Sequence, residues 1–159
     1  MRIFDASSMI YAWDNYPARQ FPGLWEWMAT QIEGKDLAMP SVAFVEVANK
    51  TPDCGEWLKD NNLEQLAVTN NVLQHAMNIK HLLGIMGDKY GNGVGENDLL
   101  IIASAGVQAA ELVSDERLQT NLPRELYNYK IPAVCAMANV SVSCINFIEY
   151  IKRSGMIFR

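Results

Sequence analysis

The sequence has few of the residues that cross-link a chain or bind a metal through sulfur and nitrogen. Its 159 residues include three cysteines and two histidines, and neither type shows a metal-ligand spacing. Cys54, Cys135 and Cys144 are therefore predicted to be reduced thiols, mainly in the core. His75 and His81 do not have the i, i+4 spacing that places two ligands on one helix face. A disulfide framework and a zinc site are excluded as the basis of the fold.

Long apolar runs and an excess of positive charge are also missing. No apolar run is long enough to span a bilayer, and the first acid, Asp5, comes too early for a secretory signal peptide. We therefore expect a cytoplasmic protein with no membrane segment. The net charge of −5 argues against a module that binds many phosphates of a nucleic-acid duplex. It does not exclude a nuclease, which can gather acids around a metal ion.

The chain does have enough apolar sequence for one sizeable core. Hydrophobic residues make up 50% of it and charged residues 19%. No repeat, low-complexity segment or linker divides the chain, so we expect a single domain over residues 1–159. Short apolar segments alternate with helical patterns. This alternation predicts an α/β domain with a parallel sheet of four or five strands, covered by helices on both faces.

The main elements are delimited by their end signals. The predicted strands cover residues 2–4, 37–39, 112–113 and 140–144. Helices are predicted to begin after Ser7 or Ser8, at Pro22, after Ser41, after Asn97 and at Phe147. The glycine-rich segment 84–95 is predicted to be a mobile loop that precedes the helix after Asn97.

Acidic residues occur where a parallel sheet binds ligands, which is outside the carboxyl ends of its strands. Asp5 directly follows the first predicted strand, and Asp115 and Glu116 directly follow a later one. Asp98 lies in the first turn of a helix, where a carboxylate suits the positive end of the helix dipole. Glu46 lies among apolar residues and needs a partner or a metal. Each acid alone could be a helix cap or a solvated side chain, but together they favour a shared metal site.

Four segments resemble the PIN-domain nucleases, and especially the small VapC-like toxins of toxin–antitoxin pairs. The segments are IFDASSMI at 3–10, PSVAFVEV at 40–47, NDLLIIASA at 97–105 and LVSDE at 112–116. In that order they resemble the family's apolar strand followed by Asp, the segment with its Glu, its Asp-x-x-Ile-x-Ala helix, and its Leu-Val-Thr-x-Asp strand end. The resemblance implies a three-layer α/β/α PIN-like domain that acts as a metal-dependent endoribonuclease.

The same resemblance assigns candidate catalytic and metal-binding residues. Asp5, Glu46 and Asp98 match acids of the family, and Glu116 is the fourth acid in phase with the last motif. Asp115 lies one residue early, so both are kept and Glu116 is favoured. The oxygen ligands imply Mg²⁺ or Mn²⁺ as the cofactor.

The resemblance also implies partners and leaves two competing functions. VapC-like toxins are typically dimers neutralised by an antitoxin, so we expect an RNA substrate, a homodimer and an antitoxin protein. The aromatic-rich N-terminal segment, typical of a core or an interface, is compatible with such an assembly. An Asp-based phosphatase usually has a second acid two residues after its first, where this sequence has Ser7. The other alternative is a non-catalytic PIN-like binding domain.

Overall fold

The computed structural model describes residues 1–159, which form five strands and eight α-helices. The strands are β1 (Arg2–Phe4), β2 (Leu37–Pro40), β3 (Glu64–Leu66), β4 (Glu111–Val113) and β5 (Cys144–Ile145). The helices are α1 (Ala6–Asn15), α2 (Pro22–Glu33), α3 (Ser41–Lys50), α4 (Pro52–Asp60), α5 (Asn70–Leu82), α6 (Glu96–Val107), α7 (Ile131–Cys135) and α8 (Phe147–Ser154). None of these helices combines the length and the hydrophobicity needed to cross a membrane.

The five strands form one parallel sheet in the order β3-β2-β1-β4-β5. Arg2 of β1 pairs with Leu37 on one side and with Glu111 on the other, so β1 is the central strand. The chain moves outward from β1 through β2 to β3 and then returns to the other side for β4 and β5. The strand order therefore reverses beside β1, which is where an open parallel sheet binds ligands. The helices flank this sheet, and the predicted three-layer α/β/α class is confirmed.

A cluster of 37 buried apolar residues joins the sheet to the helices. Ile3, Phe4, Leu112 and Val113 of the two central strands are fully buried in it. Helix α6 is apolar on most of its surface because it packs against α5 and α3 as well as β2 and β4. Each fully buried aliphatic or aromatic side chain contributes roughly 1.5–3 kcal/mol. This packing fixes the position of the first turn of α6, which carries Asp98.

Most of the aromatic side chains near the N-terminus are half-buried and pack against the core. Trp25 is buried and donates its indole N–H to the carbonyl oxygen of Tyr16 at 2.6 Å. It also packs edge-on against Trp13 and Trp57. Phe21 is the member of the segment that stays largely exposed. The aromatic cluster is therefore mainly a core feature that joins α1, α2 and α4, and it gives little support for an interface.

Helix α3 begins at Ser41, with Pro40 and not Ser41 at the cap position. Two further helices begin with a different capping residue from the one predicted. Helix α1 is capped by Asp5, whose side chain accepts a hydrogen bond from the backbone N–H of Ser8 at 2.8 Å. Ser7 and Ser8 are already helical, so the prediction that one of them is the cap is wrong. Helix α6 begins after Gly95 rather than after Asn97. In both cases an aspartate side chain satisfies a free N–H at the start of the helix.

The predicted strand over residues 140–144 is wrong for most of its length. Strand β5 contains only Cys144–Ile145. Ser141 has a φ of +49°, a left-handed conformation that interrupts an extended strand. The alternating apolar pattern of 140–144 comes from a turn followed by a short strand, and not from one continuous strand.

The glycine-rich segment 84–95 is attached to residues 127–130. The backbone N–H of Val94 donates to the carbonyl oxygen of Tyr129 at 2.9 Å, and that of Asn92 donates to the side-chain oxygen of Asn128 at 2.9 Å. Val94 itself is buried. These contacts fasten the segment directly before α6, so they help to place the start of that helix.

Candidate active site

Asp5 lies at the carboxyl end of the central strand and has a nearly inaccessible side chain, with 2% of the residue exposed. Its carboxylate accepts hydrogen bonds from the backbone N–H of Ser8 at 2.8 Å and from the hydroxyls of Ser7 and Ser114 at 2.7 and 2.5 Å. Burial raises the pKa of Asp5 to about 6, and the hydrogen bonds from the serines oppose part of that rise. The side chain is therefore fixed in place, and its negative charge is only partly compensated.

Serine side chains link the ends of β1 and β4 around this carboxylate. The hydroxyl of Ser8 lies 2.8 Å from the carbonyl oxygen of Val113. The hydroxyl of Ser114 accepts a hydrogen bond from the backbone N–H of Glu116 at 3.2 Å while it donates to Asp5. The two strand ends thus share one hydrogen-bond network. In the sequence Ser114 stands out only as part of a motif, because its contact with Asp5 depends on the strand order.

A cavity of about 240 Å³ opens at this edge of the sheet. The polar side chains that line it are Asp5, Ser7, Glu46, Lys50, Asp98 and Glu116. Asp98 accepts a hydrogen bond from the backbone N–H of Gly95 at 3.0 Å, which holds its carboxylate at the start of α6. Burial raises the pKa of Asp98, and the charges of Glu116 and Glu46 add to the rise. The structure therefore brings four of the five candidate acids to one cavity, where their charges act on one another.

Glu46 reaches the cavity from the middle of α3 and is paired with a lysine. Its Oε1 atom lies 2.7 Å from the Nζ atom of Lys50, one helical turn further along. The hydrogen bond to Glu46 and its charge raise the pKa of Lys50, and the charges of Glu116 and Asp98 act in the same direction. Lys50 belongs to none of the sequence motifs, although its four-residue spacing from Glu46 places both side chains on one helix face.

Asp115 lies outside this cavity. It lines a neighbouring cavity of about 440 Å³, and its Oδ1 atom accepts a hydrogen bond from the backbone N–H of Phe147, the first residue of α8, at 3.1 Å. Its Oδ2 atom is buried without a hydrogen-bond partner. Burial raises the pKa of this carboxyl group. The geometry gives Asp115 a role at the start of α8 and groups Glu116 with the other three acids.

The donor set around the cavity fits a hard divalent cation. All four acids offer carboxylate oxygens, which Mg²⁺ and Mn²⁺ prefer as ligands. No three acidic, histidine or cysteine side chains are close enough, as they stand, to bind one ion together. Hydrogen bonds from the serines hold Asp5, and the ion pair with Lys50 holds Glu46. Glu46 and Glu116 are long, half-buried side chains, so rotation about their side-chain bonds can bring their oxygens towards an ion.

Comparisons with known proteins relate the whole chain to one family and one fold. The family described as "Domain of unknown function (DUF4411)" matches residues 3–158. A chain in the crystal structure of VapBC2 from Rickettsia felis bound to a DNA fragment from their promoter is 18% identical, with a TM-score of 0.57, over 91% of this chain and 97% of that chain. A chain in a toxin–antitoxin complex from Klebsiella pneumoniae is 12% identical, with a TM-score of 0.49, over 77% of this chain and 93% of that chain.

No curated protein has a significant match to the sequence. The likeness to the VapBC2 structure confirms, at the level of the fold, the resemblance to VapC-like proteins that the sequence indicates.

Proposed function

The chain belongs to the DUF4411 family, and we propose that it is a metal-dependent endoribonuclease formed by one PIN-like domain over residues 1–159. One observation carries this proposal: Asp5, Glu46, Asp98 and Glu116 line a single cavity beside the point where the strand order reverses. Ligands of open parallel sheets bind at such a point. A cavity lined by four carboxylates suits a cation-assisted reaction of an anionic substrate, and phosphodiester hydrolysis is a reaction of that kind.

In the proposed reaction, water attacks the phosphorus atom of an RNA phosphodiester and the bond to the leaving ribose oxygen breaks. Asp5 and Asp98 would be the central ligands for Mg²⁺ or Mn²⁺, and Glu46 and Glu116 would complete the site directly or through water. A divalent ion supplies activation of water and neutralisation of charge on the phosphate and the leaving oxygen. Glu116 is half-buried, so its carboxylate can accept the proton of the attacking water as a general base.

The geometry does not favour the phosphatase alternative. In such an enzyme Asp5 would attack phosphorus, but both of its carboxylate oxygens already accept hydrogen bonds and the residue is almost fully buried. Ser7 occupies the place of the second acid and donates a hydrogen bond to Asp5. These contacts suit a fixed ligand better than a nucleophile.

The proposal predicts different effects for two neighbouring acids. Glu116→Gln should lower the rate of RNA cleavage at least about a hundredfold, because it removes a charged oxygen donor from the cavity. Asp115→Asn should keep the rate within about threefold, since asparagine retains an oxygen that can accept the hydrogen bond at the start of α8. Cleavage of labelled single-stranded RNA with Mg²⁺ or Mn²⁺ measures both effects, and circular dichroism checks that both variants fold.

Three results would contradict this assignment. Cleavage that persists in a metal chelator would exclude the metal-dependent mechanism. Release of phosphate from a phosphomonoester without RNA cleavage would support the phosphatase. RNA binding without cleavage under any metal condition would support the non-catalytic domain.

We also infer that the protein acts in the cytoplasm as the toxin of a toxin–antitoxin pair, as a homodimer that an antitoxin neutralises. The fold neighbour from Rickettsia felis is a VapBC2 structure, which supports a partner for this chain by analogy of fold. The net charge of −5 and the acidic cavity favour a partner with basic side chains. Several large apolar side chains are exposed and available for contact, namely Val45, Leu73, Met77, Met86, Leu118 and Leu122.

A further inference from the structure

Lys50 is the only positively charged residue that lines the acidic cavity. Its Nζ atom lies 2.7 Å from Oε1 of Glu46, while 63% of its side chain remains exposed to solvent. The ammonium group is therefore held beside the acids and is still accessible from outside. An ammonium has three N–H donors, and the contact with Glu46 uses one of them. The other donors are free for an anionic ligand.

The negative charge of the cavity explains the position of Lys50 better than a contribution to the stability of the fold does. Ion pairs between exposed side chains contribute little to stability, and the pair joins Glu46 in the middle of α3 to Lys50 at its end, with both side chains partly exposed to solvent. The negative charge of the acids repels the phosphate of an approaching RNA, and one divalent ion can offset the charge of at most two of the four. A fixed ammonium next to the acids offsets part of the remainder.

We propose that Lys50 binds the phosphate of single-stranded RNA at the bond that is cleaved, through the N–H donors that Glu46 leaves free. This inference deepens the proposed function and rests on it, because it places the substrate in the same cavity. Glu46 then orients the lysine as well as facing the metal site. The RNA phosphate lies between the ammonium on the α3 side and the carboxylates of Asp98 and Glu116.

The test is binding of fluorescein-labelled single-stranded RNA at several salt concentrations, with Ca²⁺ in place of Mg²⁺ and with the RNA checked on a gel for integrity. Lys50→Met should weaken the Kd about tenfold, because a charge-assisted hydrogen bond to phosphate is lost. It should also reduce the slope of log Kd against log salt by about 0.7, the value for one phosphate contact on a single strand. Lys50→Arg should restore most of the affinity.

Lys35→Met is the matched control. Lys35 precedes β2 and so lies at the amino edge of the sheet, opposite the cavity. This variant removes the same charge from the whole protein and should leave the RNA affinity and the salt slope at the wild-type values. A loss of affinity equal to that of Lys50→Met would overturn the proposal, because it would show an effect of net charge alone.

The affinity of each variant for Mn²⁺ without RNA, measured by titration calorimetry, separates phosphate binding from support of Glu46. A phosphate-binding lysine predicts that Lys50→Met binds Mn²⁺ as tightly as wild type or more tightly. Weaker Mn²⁺ binding with an unchanged RNA salt slope would overturn the proposal and leave Lys50 as a support for Glu46. Wild-type RNA binding without cleavage in Mg²⁺ or Mn²⁺ would contradict the proposed function and the position of the phosphate at a cleaved bond, whereas the salt slope would still decide whether Lys50 binds phosphate.

Discussion

Asp5 serves the fold and the site through the same carboxylate. It caps α1 through the N–H of Ser8, and it joins β1 to β4 through the hydroxyl of Ser114. Hydrogen bonds of this kind stabilise the ionised form, whereas burial destabilises it, and burial has the larger effect on the pKa. The metal-free protein therefore carries a buried charge at neutral pH that an added cation would stabilise.

The raised pKa of Asp5 predicts how the stability of the metal-free protein changes with pH. The pKa rises from 3.8 to about 6 on folding, so the folded state binds the proton more tightly than the unfolded state. The stability that the proton on Asp5 contributes to the folded state is fully present below pH 3.8, and it is lost as the pH rises through about 6. Asparagine does not ionise, so Asp5→Asn does not lose this stability as the pH rises. The variant should be more stable than wild type at pH 7, by at most about 3 kcal/mol.

Urea denaturation in chelator, at a series of pH values, measures the difference between the two proteins. The exposed acid Asp14 lies on the same helix, and Asp14→Asn is the control, expected to differ little from wild type at any pH. An Asp5→Asn protein that is less stable than wild type at neutral pH would show that the charged hydrogen bonds outweigh burial.

At the scale of the elements, the sequence predicts the parts whose signals are local. Strands β1 and β4 are apolar segments that end at polar residues, so their ends, and with them Asp5 and Glu116, could be placed at one edge of the sheet. Strand β3, with the sequence Glu-Gln-Leu, is a partly exposed edge strand and has no alternating pattern to reveal it. The bounds of strand β5 could not be predicted, because the turn at Ser141 depends on a backbone conformation that the residue type does not indicate.

The candidate site also contains some residues that the sequence indicates and others whose role depends on the folded backbone. Asp98 and Glu46 could be selected from their chemistry and their position in helices. The phase of the last motif already favours Glu116 over Asp115, but the turn of the chain after β4 that takes Asp115 out of the cavity is a property of the folded backbone. The helical spacing of Lys50 from Glu46 indicates that the two side chains are close. An exposed lysine at a helix end is common, however, and does not by itself indicate a functional role.

Alanine substitutions at Gly93, in the segment before α6, and at Gly106, within α6, should change the stability of the protein in opposite directions. A Cβ atom on Gly93 would overlap the backbone of Asn128 and Tyr129, and backbone atoms cannot move aside easily. Gly93→Ala should therefore destabilise the protein by about 2 kcal/mol. Gly106, inside α6, has no atom closer than 3.8 Å to such a Cβ, so Gly106→Ala should stabilise it by up to about 1 kcal/mol.

Thermal or urea unfolding measures the stability of the two variants, which carry the same glycine-to-alanine substitution and so serve as controls for each other. Gly93→Ala with wild-type stability would mean that the segment 84–95 is not fastened to residues 127–130 in solution. It would then fit the mobile loop that the sequence indicates.

At the scale of the whole molecule, the distribution of charge predicts how a partner would act. The protein has a net charge of −5, and its acidic cavity already accommodates the ammonium of Lys50 at 2.7 Å from Glu46. A cationic side chain from a partner, such as an arginine, can therefore bind the same carboxylates and compete with a metal ion for them. We expect a chain that is dimeric alone and forms a complex with the proposed antitoxin, which is to be sought as the product of a neighbouring gene.

Light scattering of the purified chain, and of the co-expressed pair, measures both assemblies. The complex should bind Mn²⁺ more weakly and cleave RNA more slowly than the chain alone, because the partner's cation occupies the acidic cavity. The inhibition should weaken as salt is added, since attraction between partly exposed charges is screened. Asp14→Asn, which removes an acid outside the cavity, should leave the inhibition unchanged, whereas Glu46→Gln should weaken partner binding. A strict monomer at high concentration that does not bind the neighbouring product would contradict the assembly, and the nuclease proposal would remain.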